Sequence, residues 1–242
     1  MARPVPVLLI AALFAGCAAP RPGPGGRGAP ATQTPPLVQM IDDPVPLDWR
    51  VVITAADRLR LARIDAAWTD GLAVAGRRFA AAIRAEGALL DPAAALPRPD
   101  PPPGPYRCRL VALAAGAAGG AARGPQPGFA AFRPWDCYVE AEGELLTLVK
   151  QTGSSRPAGR LWPDRPTRLV FLGAVARSGP ATVATPAYAE NPAGDLAGLV
   201  ERVGPFRWRL AMPYPAPGIA LHVYELVPVP PPGPAMRPAA PH

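Results

Sequence analysis

Residues 199–227 read LVERVGPFRWRLAMPYPAPGIALHVYELV and contain three short runs, 199–203, 206–212 and 221–227, of alternating or β-branched character. Glycine and proline separate the runs. Alternation with a period of two puts successive side chains on opposite faces of a strand, and glycine with proline favours turns between strands. The stretch therefore predicts three strands of an antiparallel sheet.

Four more runs of the same kind precede it, at 106–112, 138–141, 145–151 and 168–175. The three runs above and these four predict seven strands in about 120 residues, which is typical of an antiparallel sheet. A sheet of this size either coils or closes on itself. We therefore expect an antiparallel sheet that is either open or barrel-like.

The chain before these runs has the spacing of a helix. Thr54 and Asp57 form a helix-starting pair, and apolar side chains follow at intervals of three and four, at Leu61, Ile64, Trp68, Leu72, Ala75, Phe79 and Ile83. Gly71 and Gly76 each cost about 1 kcal/mol inside a helix, so the pattern predicts a bent helix or a helical pair. Gly87 is the predicted end. The fold class is α+β, with the helices packed on the sheet.

The N-terminus predicts export. A short positive start precedes an apolar run at residues 5–14, which is the length of a signal peptide. The run ends in Leu-Phe-Ala-Gly-Cys17, which resembles the lipobox of bacterial lipoproteins. The resemblance implies removal of residues 1–16, acylation of Cys17 and, with Ala18 next, location on the periplasmic side of the outer membrane. The alternative is a secretory signal cut after Ala19 and a soluble periplasmic protein.

Segments rich in proline and glycine flank the predicted domain. Residues 17–48 have few aliphatic side chains and cannot bury enough surface to offset the entropy of ordering. Behind a lipidated cysteine they predict a tether with a reach of about 30 Å. Residues 49–228 are the predicted single globular domain, and 229–242 are a second proline-rich tail.

The cysteines are consistent with this location. If Cys17 carries lipid, Cys108 and Cys137 remain as an even number in an oxidising compartment, which predicts one disulfide. The alternative is a pair of free, buried thiols.

The charge pattern limits the classes of partner. The chain has 25 basic and 18 acidic residues, and Lys150 is the only lysine. The arginines alternate with acidic residues along the chain instead of forming a basic stripe, so we expect no nucleic-acid partner. Two histidines and three cysteines predict no metal site, and no cofactor is expected.

The segment 150–156, Lys-Gln-Thr-Gly-Ser-Ser-Arg, is the best candidate for a site. Lys150, Thr152, Ser154 and Arg156 place two cations and hydroxyl groups around a glycine at a predicted strand end. Such a turn can hold a carboxylate or a phosphate, and Arg156, with its forked guanidinium, is predicted to be its most sensitive residue. The alternative is a solvated hairpin turn.

Two pairs of arginines flank a residue of a predicted strand: Arg107 and Arg109 around Cys108, and Arg207 and Arg209 around Trp208. On a strand the members of each pair point to the same face. Glu201 and Glu225 could pair with them across strands, which predicts a lattice of ion pairs. The alternative is an anion-binding face.

The residues offer little for catalysis, and no catalytic residue is assigned. His222, the one candidate general base in the domain, is expected to be an exposed polar residue. Carboxylates that could pair for glycoside cleavage are Glu140, Glu142, Glu144, Glu201 and Glu225, and nothing in the sequence selects two of them.

A series of short motifs runs through residues 49–228: Asp57-Arg58-x-Arg60-Leu61, Ala67-Trp68, Leu90-Asp91-Pro92, Tyr106-Arg107-Cys108-Arg109, Lys150-x-Thr152-Gly153-Ser154-x-Arg156-x-x-Gly159, Val170-Phe171-Leu172-Gly173, Ala187-Tyr188, Asp195-x-Ala197-Gly198-x-x-Glu201-Arg202, Trp208-Arg209-Leu210 and Glu225-Leu226-Val227-Pro228. In these motifs, residues 49–228 resemble a family of exported proteins from Gram-negative bacteria, the domain of unknown function 4893 family. The chain departs from the pattern at Ala112, Ser155 and Gly194, where Lys, Gln and Arg are expected. The resemblance implies no known activity.

The function expected from the sequence is a non-catalytic binding or structural module of the cell envelope, held to the membrane by a lipid anchor. Its partner is an anionic small molecule or an envelope protein. The alternative is a periplasmic hydrolase that uses paired carboxylates. A filled barrel with an exposed apolar or arginine-rich face favours the first, and a deep pocket with two facing carboxylates favours the second.

Overall fold

The computed structural model describes residues 45–116, 127–152, 155–176 and 186–230. Four short helices come first: α1 (Trp49–Val52), α2 (Ala55–Leu61), α3 (Ile64–Ala75) and α4 (Ala80–Glu86), with 3-10 turns at Arg77–Phe79 and Gly87–Leu89. Nine strands follow: β1 (Gly104–Ala114), β2 (Phe129–Ala131), β3 (Trp135–Glu142), β4 (Leu145–Lys150), β5 (Arg156–Arg165), β6 (Arg168–Ala176), β7 (Asp195–Gly204), β8 (Arg207–Ala216) and β9 (Ile219–Pro228). The predicted α+β class is confirmed.

The sheet closes into an antiparallel barrel of eight strands. Strands β3 to β9 pair in chain order, and β1 closes the circle by pairing with β9 from the Tyr106–Pro228 pair to the Ala114–Ile219 pair. On its other edge β1 pairs first with β3 and then, at residues 111–113, with the short strand β2. The barrel-like sheet expected from the sequence is therefore a closed one.

Two apolar clusters lie on the two faces of the barrel wall. One cluster takes side chains from all eight barrel strands and fills the interior; it includes Tyr106, Val139, Leu148, Leu161, Phe171, Val200, Leu210 and Leu226. The other joins the outer face to the helices, through residues such as Trp68, Val111, Trp162, Val170, Leu199 and Val223. Several strands are therefore apolar on both faces, because helices cover one face and the barrel core occupies the other.

The helices begin and end at the residues that the sequence singles out. The Thr54 side chain accepts a hydrogen bond from the backbone N–H of Asp57 (3.2 Å), as an N-cap does. Gly76 and Gly87, both with positive φ, end α3 and α4. Gly71 lies inside α3, where a Cβ would be 2.8 Å from the Cβ of Leu113, so it lets the helix lie directly on β1. The predicted bent helix is a series of short ones.

Three elements were not expected. Helix α1 has four residues and β2 has three, too few to show a periodicity. Strand β5 contains Pro157 and Pro163, and proline argues against a central strand. Both prolines lie outside the stretch of residues 158–161 that pairs with β4, so their missing N–H groups do not interrupt that ladder.

The predicted signal peptide, Cys17 and most of the predicted tether lie outside the described residues, as does most of the C-terminal tail. The first described residues contact the barrel, because the Trp162 Nε1–H on β5 donates to the carbonyl of Pro46 (2.8 Å). Within the described part of the chain, no helix is long and apolar enough to cross a membrane.

Candidate anion-binding site at the end of the barrel

Lys150 ends β4 and points into the barrel. It lies opposite Cys137, whose side chain belongs to the interior cluster. Its Nζ is 4.1 Å from the centre of the Trp135 ring, two residues from Cys137 on β3. This is the reach expected of a diagonal cross-strand pair, and an ammonium over an indole ring is a favourable cation–π contact.

Two more aromatic residues continue from Trp135 across the barrel. The Trp135 and Tyr224 rings meet edge to face with centres 6.0 Å apart, and the Tyr224 and His222 rings do the same at 6.2 Å. Trp135 Nε1 is buried and has no hydrogen-bond partner among the described residues. Lys150 therefore lies at one end of a row of side chains whose N–H and O–H groups can donate hydrogen bonds.

The electrostatics of Lys150 distinguish it from the arginines. Burial, and after it the positive charge of Arg156, lowers the pKa of the Lys150 ammonium. None of the ion pairs formed among the described residues includes Lys150. A partly buried cation beside another cation is stabilised by an anion that binds next to it.

The four predicted site residues differ in their exposure to solvent, and one of them lies outside the described residues. Arg156, predicted to be the most sensitive residue of the turn, is only 6% exposed at the start of β5, so it is not part of a solvated turn. Its positive charge nevertheless contributes to the lowered pKa of Lys150. Thr152 is exposed between β4 and β5, and Ser154 lies outside the described residues.

The space behind Lys150 is very small. Lys150, Tyr224, Pro157 and the Cys108–Cys137 disulfide line a cavity in which the centre of a water molecule can move through about 10 Å³. That volume holds about one water molecule. A ligand with the size of a metabolite therefore does not fit into this cavity, and an anion would bind at the strand ends beside Lys150.

The disulfide predicted from the sequence is confirmed. Cys108 on β1 and Cys137 on β3 are bonded, with their Cα atoms 5.9 Å apart. The bond lies between neighbouring strands, directly beside the residue pair Cys137–Lys150. It joins β3, which carries Trp135, to the neighbouring strand β1, whose Cys108 also lines the cavity.

His222 was expected to be exposed, and the structure contradicts this. Its side chain lies on the interior face of β9 beside Tyr224, between the Ala112 and Met212 positions of the neighbouring strands. Burial lowers its pKa to about 4. His222 is therefore neutral at neutral pH and does not add a positive charge to the site.

This pKa makes a testable prediction for acid stability. Above the ordinary His pKa of 6.5 the residue is neutral in both states, and below it the unfolded chain gains the proton first. The free energy of unfolding should fall between pH 6.5 and 4, by at most about 3 kcal/mol for this residue. Urea unfolding of the wild type and of His222→Gln should show a difference that changes over this range. Parallel pH profiles would contradict the assignment.

The arginines that flank Cys108 and Trp208 form the predicted lattice of ion pairs. Arg109 bonds Glu225 and also Glu86, a partner that sequence reasoning missed. Arg207 donates to the other oxygen of Glu225 (2.5 Å). These charges neutralise one another on the outer face of the barrel, so they do not form an anion-binding face.

Arg209 is the central residue of this layer. It is fully buried, bonds Glu201 through Nε (2.8 Å) and Nη2 (2.7 Å), and stacks 4.9 Å from the centre of the Trp68 ring. Its remaining N–H groups donate to the carbonyls of residues 88, 89, 91 and 92. The guanidinium thus fastens the chain after α4 to the barrel wall.

The carboxylates considered for catalysis are mostly held by arginine. Glu201 and Glu225 have the partners given above, and Glu142 is bound by Arg160 and by the Thr147 hydroxyl (2.6 Å). Burial raises the pKa of Glu142, but the hydrogen bonds from Arg160 and Thr147 outweigh it and hold the pKa below its usual value. A carboxylate held ionised in this way is a poor proton donor.

A second polar cluster, which the sequence did not predict, joins α2 to the segment before β7. The Tyr188 hydroxyl donates to Asp57 (2.6 Å) and accepts from the backbone N–H of Thr54 (3.0 Å), and Arg60 bonds Asp57 as well. Burial, and then the charge of Asp57, raises the pKa of Asp195 above its usual value. Each Asp57 oxygen is engaged, so the cluster fastens two segments together.

Among the described residues, no group of three or more His, Cys, Asp or Glu side chains is arranged to hold a metal ion.

Comparison with known proteins gives one match. The model of a family described as domain of unknown function DUF4893 matches residues 49–226. No curated protein and no solved structure matches the chain.

Proposed function

Because the chain belongs to the family of the domain of unknown function DUF4893, whose description assigns no activity, we propose a function from the site itself. The protein is a lipid-anchored module of the periplasmic side of the outer membrane. Its barrel binds, without catalysis, the carboxylate or phosphate group of a small molecule or of another envelope component. The anion binds at Lys150.

The position of Lys150 carries this proposal. It is a cation partly removed from water, and the charge of Arg156 lowers its pKa further. It pairs with no carboxylate among the described residues, whereas the arginines of the outer face do. The N–H of Trp135, whose ring contacts Lys150, is buried and has no partner in the part of the chain that the structure describes. An unpaired buried donor costs about 1–3 kcal/mol, which an acceptor oxygen on a ligand would offset.

The interior packing supports binding at the end of the barrel over transport of a ligand inside it. All eight strands contribute side chains to the interior cluster, and the cavity behind Lys150 holds about one water molecule. Three of the five carboxylates considered for a hydrolase, Glu142, Glu201 and Glu225, are bound to arginine. Glu140 and Glu144 form no ion pair among the described residues, and the cavity behind Lys150 is not lined by either of them. The binding function therefore has more support than the hydrolase.

Lys150 can be observed by itself because it is the only lysine. Reductive methylation with ¹³C-formaldehyde gives one lysine dimethylamine signal in the NMR spectrum, whose titration reports the pKa. We expect a pKa below that of a free lysine and a saturable shift of the signal on addition of inorganic phosphate or acetate. Binding of the anion should raise the pKa, because it stabilises the charged form.

The variant Arg107→Lys supplies a matched control. Arg107 is on β1, half exposed and paired with Asp136, so the new lysine reports the response of an exposed cation to added salt. Its signal should shift weakly and without saturation. Equal responses of the two lysines would mean that Lys150 is no binding site.

Lys150→Met tests the site by loss. Binding of phosphate measured by calorimetry should disappear, while the melting temperature stays the same or rises, because the change removes a cation that Arg156 repels. Retained binding would contradict the proposal. A large loss of stability would instead assign Lys150 to the structure of the barrel.

The anchor is tested separately with Cys17→Ser. The change should prevent lipid attachment, so that the protein moves from the membrane fraction to the soluble fraction or keeps its signal peptide. Mass spectrometry of the N-terminal peptide from the wild type should show the acyl chains. Membrane association that is unchanged in Cys17→Ser, with no lipid on the wild-type peptide, would reject the anchor.

A further inference from the structure

Three large aliphatic side chains are exposed in the first two helices and just before them. Val51 is 70% exposed and Leu59 is 71% exposed, and Leu47, just before α1, is 58% exposed. Arg58 donates from Nη2 to the carbonyl of Arg50 (2.7 Å), so the Arg58 side chain links α2 to α1 at the surface. We call the surface formed by Leu47, Arg50, Val51, Arg58 and Leu59 the α1–α2 face.

The charge around this face has one dominant sign. Arg50 and Arg58 belong to the face, and Arg50 pairs with Asp164, which also pairs with Arg165 and Arg168 on the barrel. These four arginines stand against two aspartates, Asp48 and Asp164. Asp48 is itself paired with Arg50. Arginines that surround exposed aliphatic side chains are typical of a surface that lies on an anionic bilayer, where the charges meet headgroups and the aliphatic groups leave water.

The place of the face in the chain supports the same occupant. Leu47 lies two residues after Val45, where the described residues begin, and the chain before it leads back to Cys17. The lipid that we propose there would hold the domain within about 30 Å of the bilayer. Confinement of this kind gives an effective concentration in the millimolar range, at which a small face can bind.

We infer that the α1–α2 face docks the domain on the anionic phospholipid surface that holds its own lipid anchor. The inference rests on the proposed anchor, because the anchor keeps the domain concentrated near the bilayer. The aliphatic and arginine side chains that would contact the lipid do not depend on the anchor. Docking buries Val51 and Leu59 in the interface and places Arg50 and Arg58 among the headgroups. Phe132, which is 50% exposed between β2 and β3 and belongs to no helix, stays in water.

A fluorescent label on Ala55→Cys reports this contact, because Ala55 is exposed and shares a helix face with Leu59 and Arg58. The lipidated full-length chain is reconstituted in phosphatidylcholine vesicles with or without phosphatidylglycerol. Nitroxide-labelled lipids should quench the label at position 55 several-fold more than a label on Phe132→Cys. The difference should require phosphatidylglycerol and decrease with salt.

The double substitution Val51→Ser and Leu59→Ser should reduce the quenching at position 55 to that at position 132. Both residues are exposed, so the melting temperature should stay close to that of the parent. Equal quenching at both positions in the parent would overturn the inference. So would a signal that depends on protein concentration instead of lipid, which would assign the face to a second copy.

The anchor and the face fail in different ways. If Cys17 carries no lipid, the chain does not stay with the vesicles after flotation, which contradicts the proposed anchor. The labelled chain is then added to vesicles at high lipid concentration, where weak, salt-sensitive quenching at position 55 and not at 132 is still expected. Absence of quenching there overturns the docking face.

Discussion

Replacing Arg209 by methionine is expected to lower the free energy of unfolding by about 3–5 kcal/mol. The change leaves Glu201 without the guanidinium that contacts its Oε2 through two nitrogens, and it removes the donor from the carbonyls of residues 88, 89, 91 and 92. Methionine still packs against Trp68, so the loss measures polar contacts more than volume. Urea unfolding of both proteins, monitored by circular dichroism, gives the difference.

Two further variants make this measurement specific. Arg107→Met removes an arginine that is half exposed and paired with Asp136, and it should cost no more than about 1 kcal/mol. Adding Glu201→Gln to Arg209→Met should recover part of the loss, because an unpaired carboxylate then becomes neutral. A cost for Arg209→Met no larger than for Arg107→Met would mean that the buried guanidinium does not stabilise the fold.

Replacing Cys108 and Cys137 together by alanine should cost about 3.5 kcal/mol of stability. The disulfide joins residues 29 apart in the sequence, and removing it gives the unfolded chain more freedom than the folded one. Alanine is chosen because both positions are buried, where a serine hydroxyl would need a partner. Thermal unfolding of the double variant is compared with that of the wild type.

The wild type treated with a reductant under denaturing conditions, and then refolded without oxidant, is the matched control. It should match the double variant in stability to within about 1 kcal/mol, because both lack the same crosslink. A double variant that is as stable as the oxidised wild type would show that the crosslink contributes nothing. Loss of anion binding at Lys150 in the double variant would show that the bond also positions the site.

The parts of the fold that could be predicted are those with local causes. The Thr54 cap, the stop at Gly87 and the alternating runs each act over a few residues, and each is found close to its predicted position. Gly76, predicted to bend or divide the helical run, ends α3. Strand β5 was missed because two of its ten residues are prolines. Whether a proline interrupts a sheet depends on whether it lies within the residues that pair with the neighbouring strand, and the sequence does not show that pairing.

The candidate site was predictable only in part. Lys150 was singled out from its local sequence, but its direction depends on the pairing with Cys137 on another strand. Trp135 was missed because the alternating run at 138–141 begins three residues later. His222 was misjudged because β9 is apolar on both faces, one facing α3 and one facing the interior, so alternation does not show which face is solvated.

Closure of the barrel by β1 and β9 has a consequence for the kinetics of folding. The paired residues of these two strands are roughly 100 residues or more apart along the chain, and β9 is the last strand. Contacts between such distant segments slow folding, because the loop must close before the pairing stabilises it. The ladder between β1 and β9 cannot form until nearly the whole domain is available. A chain that stops before residue 219 keeps two unpaired strand edges, which are templates for aggregation.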